Sequence, residues 1–297
     1  MGTGEAAALT AAALWAFSSL LYTRINVSAW GLNFSKIVIA SAILFLQIAT
    51  VNSLQGAKLF NGSTEAWVWL ALSGAIGLVL GDTWFFRSLQ ILGARRCLIV
   101  QTTAPVFTAI LGWIFLGEVL VWFSGLGILL TVGGVAVVVS DKAARGDEPG
   151  LFPGSIAAGV AMGIAAAICQ AIGAVMSRHA MKNCDALEGT FVRLFAAMVL
   201  ALVIVVWNRQ LQSTARQVCR PEVLKRFVPA IMLGTWLGVW CSQIAFKETT
   251  AAAAQTLLST SPLFAIPMVW MMYGHRMTSR VLVGSIVAVA GVFLLFQ

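Results

Sequence analysis

Length, composition and charge place this chain in a membrane rather than in water. Its 297 residues are 60% hydrophobic and only 10% charged, whereas soluble domains are about 45–50% apolar and about 25% charged. The net charge of +8 is spread over loops, which argues against a nucleic-acid-binding surface. The five cysteines and two histidines lack disulfide or metal-ligand spacing, so we expect no disulfide framework, no metal and no cofactor.

Apolar runs predict ten spanning helices, because a helix needs roughly 20 apolar residues to cross a bilayer. In chain order we place them at Gly4–Tyr22, Leu32–Val51, Ala66–Ser88, Arg96–Leu116, Leu120–Ser140, Gly154–Met176, Leu187–Trp207, Arg226–Phe246, Ala251–Tyr273 and Val281–Phe296. A charged segment with glycine and proline follows the fifth helix. We therefore predict a first five-helix repeat over residues 1–140, a linker over 141–153 and a second repeat over 154–297.

The two halves of the chain match each other. Residues 77–140 lie on residues 234–297 without a gap, and the matched pairs include Gly77 with Gly234, Pro105 with Pro262, Trp113 with Trp270 and Gly134 with Gly291. These residue types have restrictive geometric roles, so the match indicates an internal duplication. Because five helices per half is an odd number, the halves would enter the membrane from opposite sides. The sequence thus predicts an all-α integral membrane protein with ten transmembrane helices in two inverted repeats, an architecture typical of secondary transporters. The alternative explanation is that the duplication only builds the fold and has no part in transport.

Several motifs resemble a known family. They are Leu14-Trp15-Ala16, a cation early in the second helix, the run Gly81-Asp82-Thr83-Trp84-Phe85-Phe86-Arg87-Ser88-Leu89, and Ala104-Pro105-Val106-Phe107 leading to Leu116-Gly117-Glu118. Together they resemble the EamA-type branch of the drug/metabolite transporter superfamily over essentially the whole chain. The resemblance implies transport of amino acids, metabolites, drugs or nucleotide conjugates, with both termini cytoplasmic. The second half departs from the family's pattern at two positions. His275 stands at the position equivalent to Glu118, and Gln170 stands where the family often has tryptophan.

Three charged residues fall inside predicted spans, where an ionisable group is by default a functional hypothesis. Lys36 lies early in the second helix and Asp82 near the end of the antiparallel third helix, so the two would share a depth and form an ion pair. The repeat places Arg193 at the position of Lys36, and Val239 at that of Asp82. Asp82 would exchange a proton and Arg193 would bind an anionic substrate group. A structural salt bridge and a snorkelling arginine are the alternatives.

Two polar turns with a proline lie at matching positions in the fourth and ninth helices. They are Gln101-Thr102-Thr103-Ala104-Pro105 and Leu258-Ser259-Thr260-Ser261-Pro262. Proline leaves a backbone carbonyl without its helical donor, so these turns would offer carbonyl and hydroxyl groups to a central cavity. A kink needed only for packing is the alternative. Other residues expected on helices that face this space are Trp15, Trp84, Gln170, Trp236, Trp240 and Gln243.

These observations predict a secondary transporter that exports small metabolites, such as amino acids or related amphipathic compounds, by alternating access. A phosphorylated-metabolite or nucleotide-conjugate exchanger and a non-transporting scaffold are the alternatives. We expect no enzyme activity, a small-molecule substrate, the lipid bilayer as partner, and the bacterial inner membrane as location; proton coupling and a homodimer stay open. Basic residues concentrate in the loops after odd-numbered helices, which by the positive-inside rule would place both termini outside. The resemblance implies the reverse orientation.

Overall fold

All the regular structure described for this chain is helical. The computed structural model describes residues 2–55, 62–117, 122–140, 154–249, 251–273 and 278–294. Its α-helices are α1 (Thr3–Tyr22), α2 (Ala29–Gln55), α3 (Thr64–Ser73), α4 (Asp82–Gln101), α5 (Ala104–Leu116), α6 (Trp122–Ser140), α7 (Ile156–Met181), α8 (Ala186–Trp207), α9 (Leu211–Val218), α10 (Pro221–Ala230), α11 (Gly238–Glu248), α12 (Ala251–Leu258), α13 (Ser261–Tyr273) and α14 (Ser279–Leu294). The backbone of α4 is non-helical at Gly93 (φ 78°), where the third span ends and the fourth begins. Two π-helical segments join α3 to α4 (Gly74–Gly81) and α10 to α11 (Ile231–Leu237).

Seven helical stretches in these residues are long and apolar enough to cross a membrane, as expected of an integral membrane protein. They are Thr3–Tyr22, Ala29–Val51, Thr64–Ala94, Arg96–Phe115, Ile156–Met181, Ala186–Trp207 and Pro221–Glu248. The expected count of ten spans is therefore not confirmed. α6 has 19 residues and α14 has 16, close to the lower limit of roughly 17 for a span. α12 and α13 are separated by a turn at Ser259 and Thr260.

The helix bounds repeat along the chain with the offset that relates the two halves in sequence. α3 (Thr64–Ser73) corresponds residue for residue to α10 (Pro221–Ala230), and α5 (Ala104–Leu116) to α13 (Ser261–Tyr273). The two π segments begin at the equivalent residues Gly74 and Ile231. The same local backbone irregularity therefore lies at the same place in each half.

The halves interlock through their first helices. α1 packs against the second π segment, where Trp15 Nε1 donates a hydrogen bond to Gly234 O at 2.9 Å. α7 packs against the end of α3 and the first π segment, where Ser73 Oγ donates to Gly173 O at 2.8 Å. A Cβ atom at Gly81 would lie 3.0 Å from that of Cys169, so small residues permit the close approach. Each half thus forms part of the wall around the other half's π segment.

The last helices of the two halves, α6 and α14, pack together and cross in antiparallel directions. A Cβ atom at Gly134 would contact the backbone of Gly284 and Ala288, and one at Gly291 would contact the backbone of Gly127 and Thr131. At the centre, Thr131 Oγ1 donates to Gly127 O of its own helix at 2.8 Å and lies 3.3 Å from Ala288 O, which is 157 positions away in the chain. This separation is the offset of the duplication, so Thr131 contacts its own equivalent.

Two features of the fold were not predicted from the sequence. The third and eighth spans, Thr64–Ala94 and Pro221–Glu248, extend beyond the predicted bounds at both ends, and each contains a π segment. The eight-residue amphipathic helix α9 follows α8, with Thr214 and Val218 buried. Apolar runs alone show neither, since a π segment has the composition of an α-helix and α9 is too short to span a membrane.

Candidate functional site

A cavity lies between the halves and is lined by residues of α1, α2, α4, α5, α7, α8 and α11–α13 and of the two π segments. It offers about 130 Å³ to the centres of water-sized spheres. A single buried water needs roughly 10–15 Å³ by this measure, so the space accommodates a small solute. Its lining includes all three charged residues singled out in the sequence: Lys36, Asp82 and Arg193.

Lys36 and Asp82 form an ion pair on one wall of the cavity, as their positions in the sequence suggested. The Lys36 ammonium bonds to the Asp82 carboxylate and lies 5.1 Å from the centre of the Phe86 ring. One turn before Lys36, Asn33 Nδ2 donates to Leu78 O at 2.8 Å and to a second carbonyl of the π segment at 3.1 Å. α2 therefore contacts the first π segment through the Asn33 amide. One turn later, its Lys36 pairs with Asp82, which directly follows the segment.

Arg193 is buried beside the first π segment, with 4% of its surface exposed, and its guanidinium lies 3.5 Å from the position of a Cβ atom at Gly77. It reaches this position because α8 crosses the first π segment at Gly74, where a Cβ atom would lie only 2.3 Å from Arg193 O. Among the described residues no carboxylate lies within ion-pair distance of Arg193, and its Nε has no hydrogen-bond partner. A buried charge is costly unless it is paired. This guanidinium is therefore suited to an anionic group that enters the cavity.

Two glutamine amides add polar groups to the same space. Gln101 ends α4 and Gln255 lies on α12, and the side-chain oxygen of each is buried without a hydrogen-bond partner. The repeat places Leu258 at the position of Gln101 and Leu98 at that of Gln255, and both leucines also line the cavity. The first half therefore has leucine followed by glutamine at these two positions, and the second half has glutamine followed by leucine. The oxygens are acceptors suited to an ammonium, N–H or O–H group.

The structure brings together about half of the residues singled out in the sequence. Besides the charges and Gln101, the cavity lining includes Trp15, Gln170, Ser259 and Pro262. Residues outside the lining are Trp84, Thr102, Thr103, Pro105, Trp240, Gln243 and Thr260. Trp84 differs most from expectation, since 40% of its surface is exposed.

The hydroxyls of the two polar turns bond to their own helices. Thr102 Oγ1 and Thr103 Oγ1 donate to the carbonyls of Ile99 and Val100 at 2.7 and 2.8 Å. In the second half, Ser259 and Thr260 donate in the same way to carbonyls three or four residues earlier. These donors are satisfied locally and shape the turns. Each hydroxyl keeps acceptor capacity, and Ser259 and Ser261, which both line the cavity, are placed to accept a hydrogen bond from a solute.

Several lining residues were not identified from the sequence. On α1, Ser18, Ser19 and Tyr22 line the cavity with Trp15. Their spacing of three, four and seven residues from Trp15 places all four on one helix face, so this polar stripe was a readable signal. No group of three or more histidine, cysteine or acidic residues within the described ranges is arranged to hold a metal ion.

Comparison with known proteins agrees with this geometry. The EamA-like transporter family matches residues 2–140 and again residues 157–297. A transporter of Archaeoglobus fulgidus, itself described only as uncharacterized, is 23% identical over 292 residues, which are 97% of this chain and 95% of the relative. A protein of known crystal structure superposes with a TM-score of 0.66 at 15% identity, over 98% of this chain and 95% of its own, and so shares the fold. The chain therefore belongs to the EamA-like transporter family.

Proposed function

We propose that this protein is a secondary transporter that exports small metabolites carrying a carboxylate, with amino acids as the first candidates, by alternating access. Membership of a transporter family and a polar cavity between the halves support the proposal. The antiparallel crossing of α6 and α14 supports an inverted relation of the repeats, the arrangement in which substrate lies near the midplane between halves. In this proposal α6, α12–α13 and α14 complete ten spans in a bacterial inner membrane.

The buried Arg193 guanidinium is the observation that carries the proposal. A planar guanidinium binds a carboxylate through two parallel hydrogen bonds. The unpartnered oxygens of Gln101 and Gln255 would accept hydrogen bonds from the amino group of the same solute. Trp15 and Phe85 also line the cavity and supply apolar surface for a side chain. The lining therefore suits a solute with one acidic group, one donor group and an apolar part.

The charge of the cavity favours a carboxylate over a phosphate. Lys36 is neutralised by Asp82, so Arg193 is the cation in the lining that lacks a carboxylate partner among the described residues. A phosphate monoester carries roughly −1.5 to −2 charges at neutral pH and would leave charge uncompensated in the cavity. The exchanger of phosphorylated compounds is therefore the weaker candidate.

Proton coupling would act at Asp82. Protonation of its carboxyl group would release Lys36, and the released ammonium would change the charge of the cavity at the first π segment. Because Asp82 also begins α4 directly after that segment, its protonation would act where the third span changes from π-helical to α-helical geometry. This would couple outward movement of substrate to inward movement of a proton.

The test compares intracellular and medium pools of amino acids in cells that express the intact protein, Arg193→Gln, or neither. Because Arg193 lacks a carboxylate partner, the substitution removes a charge without leaving a second one unpaired. We expect export to fall by about tenfold to a hundredfold, the effect of losing a charged hydrogen bond. Lys182→Gln, at an exposed position outside the cavity, is the control at matched membrane levels.

Equal export by the intact protein and Arg193→Gln would contradict the proposed site, and no difference from empty cells under varied loading and pH would contradict export itself.

Coupling is measured separately with the double variant Lys36→Met, Asp82→Asn, which leaves neither charge unpaired. We expect its residual transport in proteoliposomes to be insensitive to an imposed proton gradient. A retained response to the gradient would exclude Asp82 as the coupling residue.

A further inference from the structure

The two ends of the helix bundle differ in charge. One end contains the starts of α1, α3 and α8 and the ends of α7 and α11, joined by a hydrogen bond from Gly62 N to Glu188 at 3.0 Å and an ion pair between Lys247 and Asp185 at 3.0 Å. Its described carboxylates outnumber its cations, and we call it the acidic end. The carboxylates are Glu5, Glu65, Asp185, Glu188 and Glu248, and the cations are Arg178, Lys182 and Lys247.

The opposite end carries a cluster of exposed cations around α9. We call it the basic end; its cations are Arg209, Arg216, Arg220, Lys225 and Arg226, and Glu222 is the carboxylate in the same stretch. Arg226 donates to Arg24 O at 3.0 Å, which fixes α10 beside the end of α1. In the described part of the chain, none of the five cations forms an ion pair with a carboxylate.

Apolar side chains are exposed beside these cations. Trp207, the last residue of α8, is 85% exposed, and Leu211, the first residue of α9, is 44% exposed. On the other face of α9, Thr214 and Val218 are buried, and the Thr214 methyl group lies 3.5 Å from the position of a Cβ atom at Gly31. Tryptophan and basic side chains around a short amphipathic helix are the composition of the boundary between hydrocarbon and headgroups.

The duplication shows that the basic end is not a consequence of the fold. Arg209, Arg216 and Arg220 correspond in the first half to Asn52, Leu59 and Ser63. Lys225 and Arg226 correspond to Val68 and Trp69. In the first half, Gly62 and Ser63, which end the equivalent stretch, lie at the acidic end, where Gly62 N donates to Glu188. Cations therefore accumulate at one end of the bundle and not at symmetry-equivalent positions.

We propose that the basic end is a binding surface for the anionic phospholipid headgroups of the cytoplasmic leaflet. That leaflet attracts basic segments close to its surface, and the exposed Trp207 and Leu211 would enter the outer part of the hydrocarbon. The acidic end, with the start of α1 and the end of α14, then lies on the opposite side of the membrane. This orientation is the reverse of the one implied by the family resemblance, and it follows from the charges of this chain.

Orientation is tested with a membrane-impermeant maleimide and does not depend on transport. Cys219, between α9 and α10, is exposed, whereas Cys97, Cys169 and Cys184 are buried and Cys241, which is removed in the test protein, is half-buried. Burial and the nearby Glu188 carboxylate raise the pKa of Cys184 to about 12, so this thiol is unreactive. The reporter for the acidic end is Lys182→Cys in a protein that lacks Cys219.

We expect intact cells to label the Lys182→Cys reporter and not Cys219, and permeabilised cells to label both. Labelling of Cys219 in intact cells, alone or together with the other reporter, would overturn the assignment, since it would show a reversed or mixed orientation. Permeabilised cells that express either protein confirm that each thiol is reactive.

The lipid contact is tested by thermal unfolding of the purified protein in nanodiscs of phosphatidylcholine with or without phosphatidylglycerol. The variant replaces Arg209, Arg216, Arg220 and Lys225 with glutamine, and Lys182→Gln is the control. We expect phosphatidylglycerol to stabilise the intact protein and the control, and the preference to fall about fivefold for each cation removed. An equal gain for the four-fold variant would overturn the headgroup site, as would the same gain from free glycerol phosphate in place of the lipid.

Discussion

The two π-helical segments occupy equivalent positions in the two halves, but different side chains hold them. In the first, Asn33 of the preceding helix bonds to Leu78 O, and Lys36 pairs with Asp82 just beyond the segment. In the second, the residues at those positions make no such bonds: Thr190 donates to Ala186 O on its own helix. The carbonyl of Gly234 instead accepts from Trp15 of the other half.

This difference separates what the duplication preserved from what each half acquired. Backbone geometry is shared, because the segments begin at equivalent residues and interrupt equivalent helices. The polar side chains are not shared, so the cavity lining contains a neutralised charge pair, Lys36 with Asp82, and the Arg193 guanidinium, which has no carboxylate partner among the described residues. An asymmetric solute with a distinct charged end requires such a cavity, whereas a symmetric lining would offer two equivalent sites.

The largest effect is expected from breaking the charge pair of the first segment. Asp82→Asn leaves Lys36 buried without its carboxylate and should lower the free energy of unfolding by about 3–5 kcal/mol. The double variant Lys36→Met, Asp82→Asn should recover most of this loss, because no charge is left unpaired. Thermal unfolding in detergent measures both; a double variant as unstable as Asp82→Asn would show that the pair is not the source of the loss.

The next effect comes from the crossing of α8 over the first segment. Gly74→Ala places a methyl group 2.3 Å from Arg193 O, which should cost about 3 kcal/mol, at the upper end for overpacking. The second half carries Ile231 at this position, so only the first crossing is close. Gly133→Ala is the control, since no atom lies within 4 Å of its Cβ position. Equal unfolding temperatures for the two variants would contradict the close crossing.

Asn33 and Thr190, which occupy equivalent positions in the two halves, provide a matched pair of variants. Asn33→Ala leaves buried carbonyl groups of the first π segment without donors and should cost about 1–3 kcal/mol. Thr190→Ala, at the equivalent position, removes a bond within one helix and should cost less than about 1 kcal/mol. Chemical unfolding of both variants checks the ranking; a larger loss for Thr190→Ala would reverse the comparison.

The smallest effect should be a gain. Gln243 is fully buried, and neither its amide oxygen nor its nitrogen has a partner among the described residues; the equivalent residue of the first half is Phe86. Gln243→Met should raise the free energy of unfolding by about 1 kcal/mol by removing unsatisfied polar atoms. Transport by the Gln243→Met variant separates two roles of this residue. Unchanged export would mean that Gln243 is structural. Lost export in a more stable protein would mean that Gln243 binds the solute.

Hydropathy and antiparallel geometry explain what could be predicted. Lys36 and Asp82 were paired from sequence because consecutive helices that run in opposite directions bring the start of one beside the end of the other. The repeat was visible because glycine, proline and tryptophan recur at one offset. These inferences need only positions along the chain, which the sequence contains.

Which way each side chain faces could not be predicted beyond the π segments. A π turn takes up one extra residue, which rotates the following helix face by about 100°. Trp84, expected near the cavity, is therefore exposed, while Phe85 and Phe86 line it. Gln255 could not be identified for another reason: it follows an alanine-rich run, and small residues are typical of close helix packing rather than of a binding site.

The contact between Thr131 and Ala288 has a mechanical consequence. Because these residues are each other's counterparts, the rotation that exchanges the two halves leaves their contact point where it is. If the halves trade conformations to expose the cavity on alternate faces of the membrane, this point is the fulcrum. Spectroscopic labels should therefore report a constant distance between α6 and α14 here, while distances between α1 and the second π segment change during the cycle.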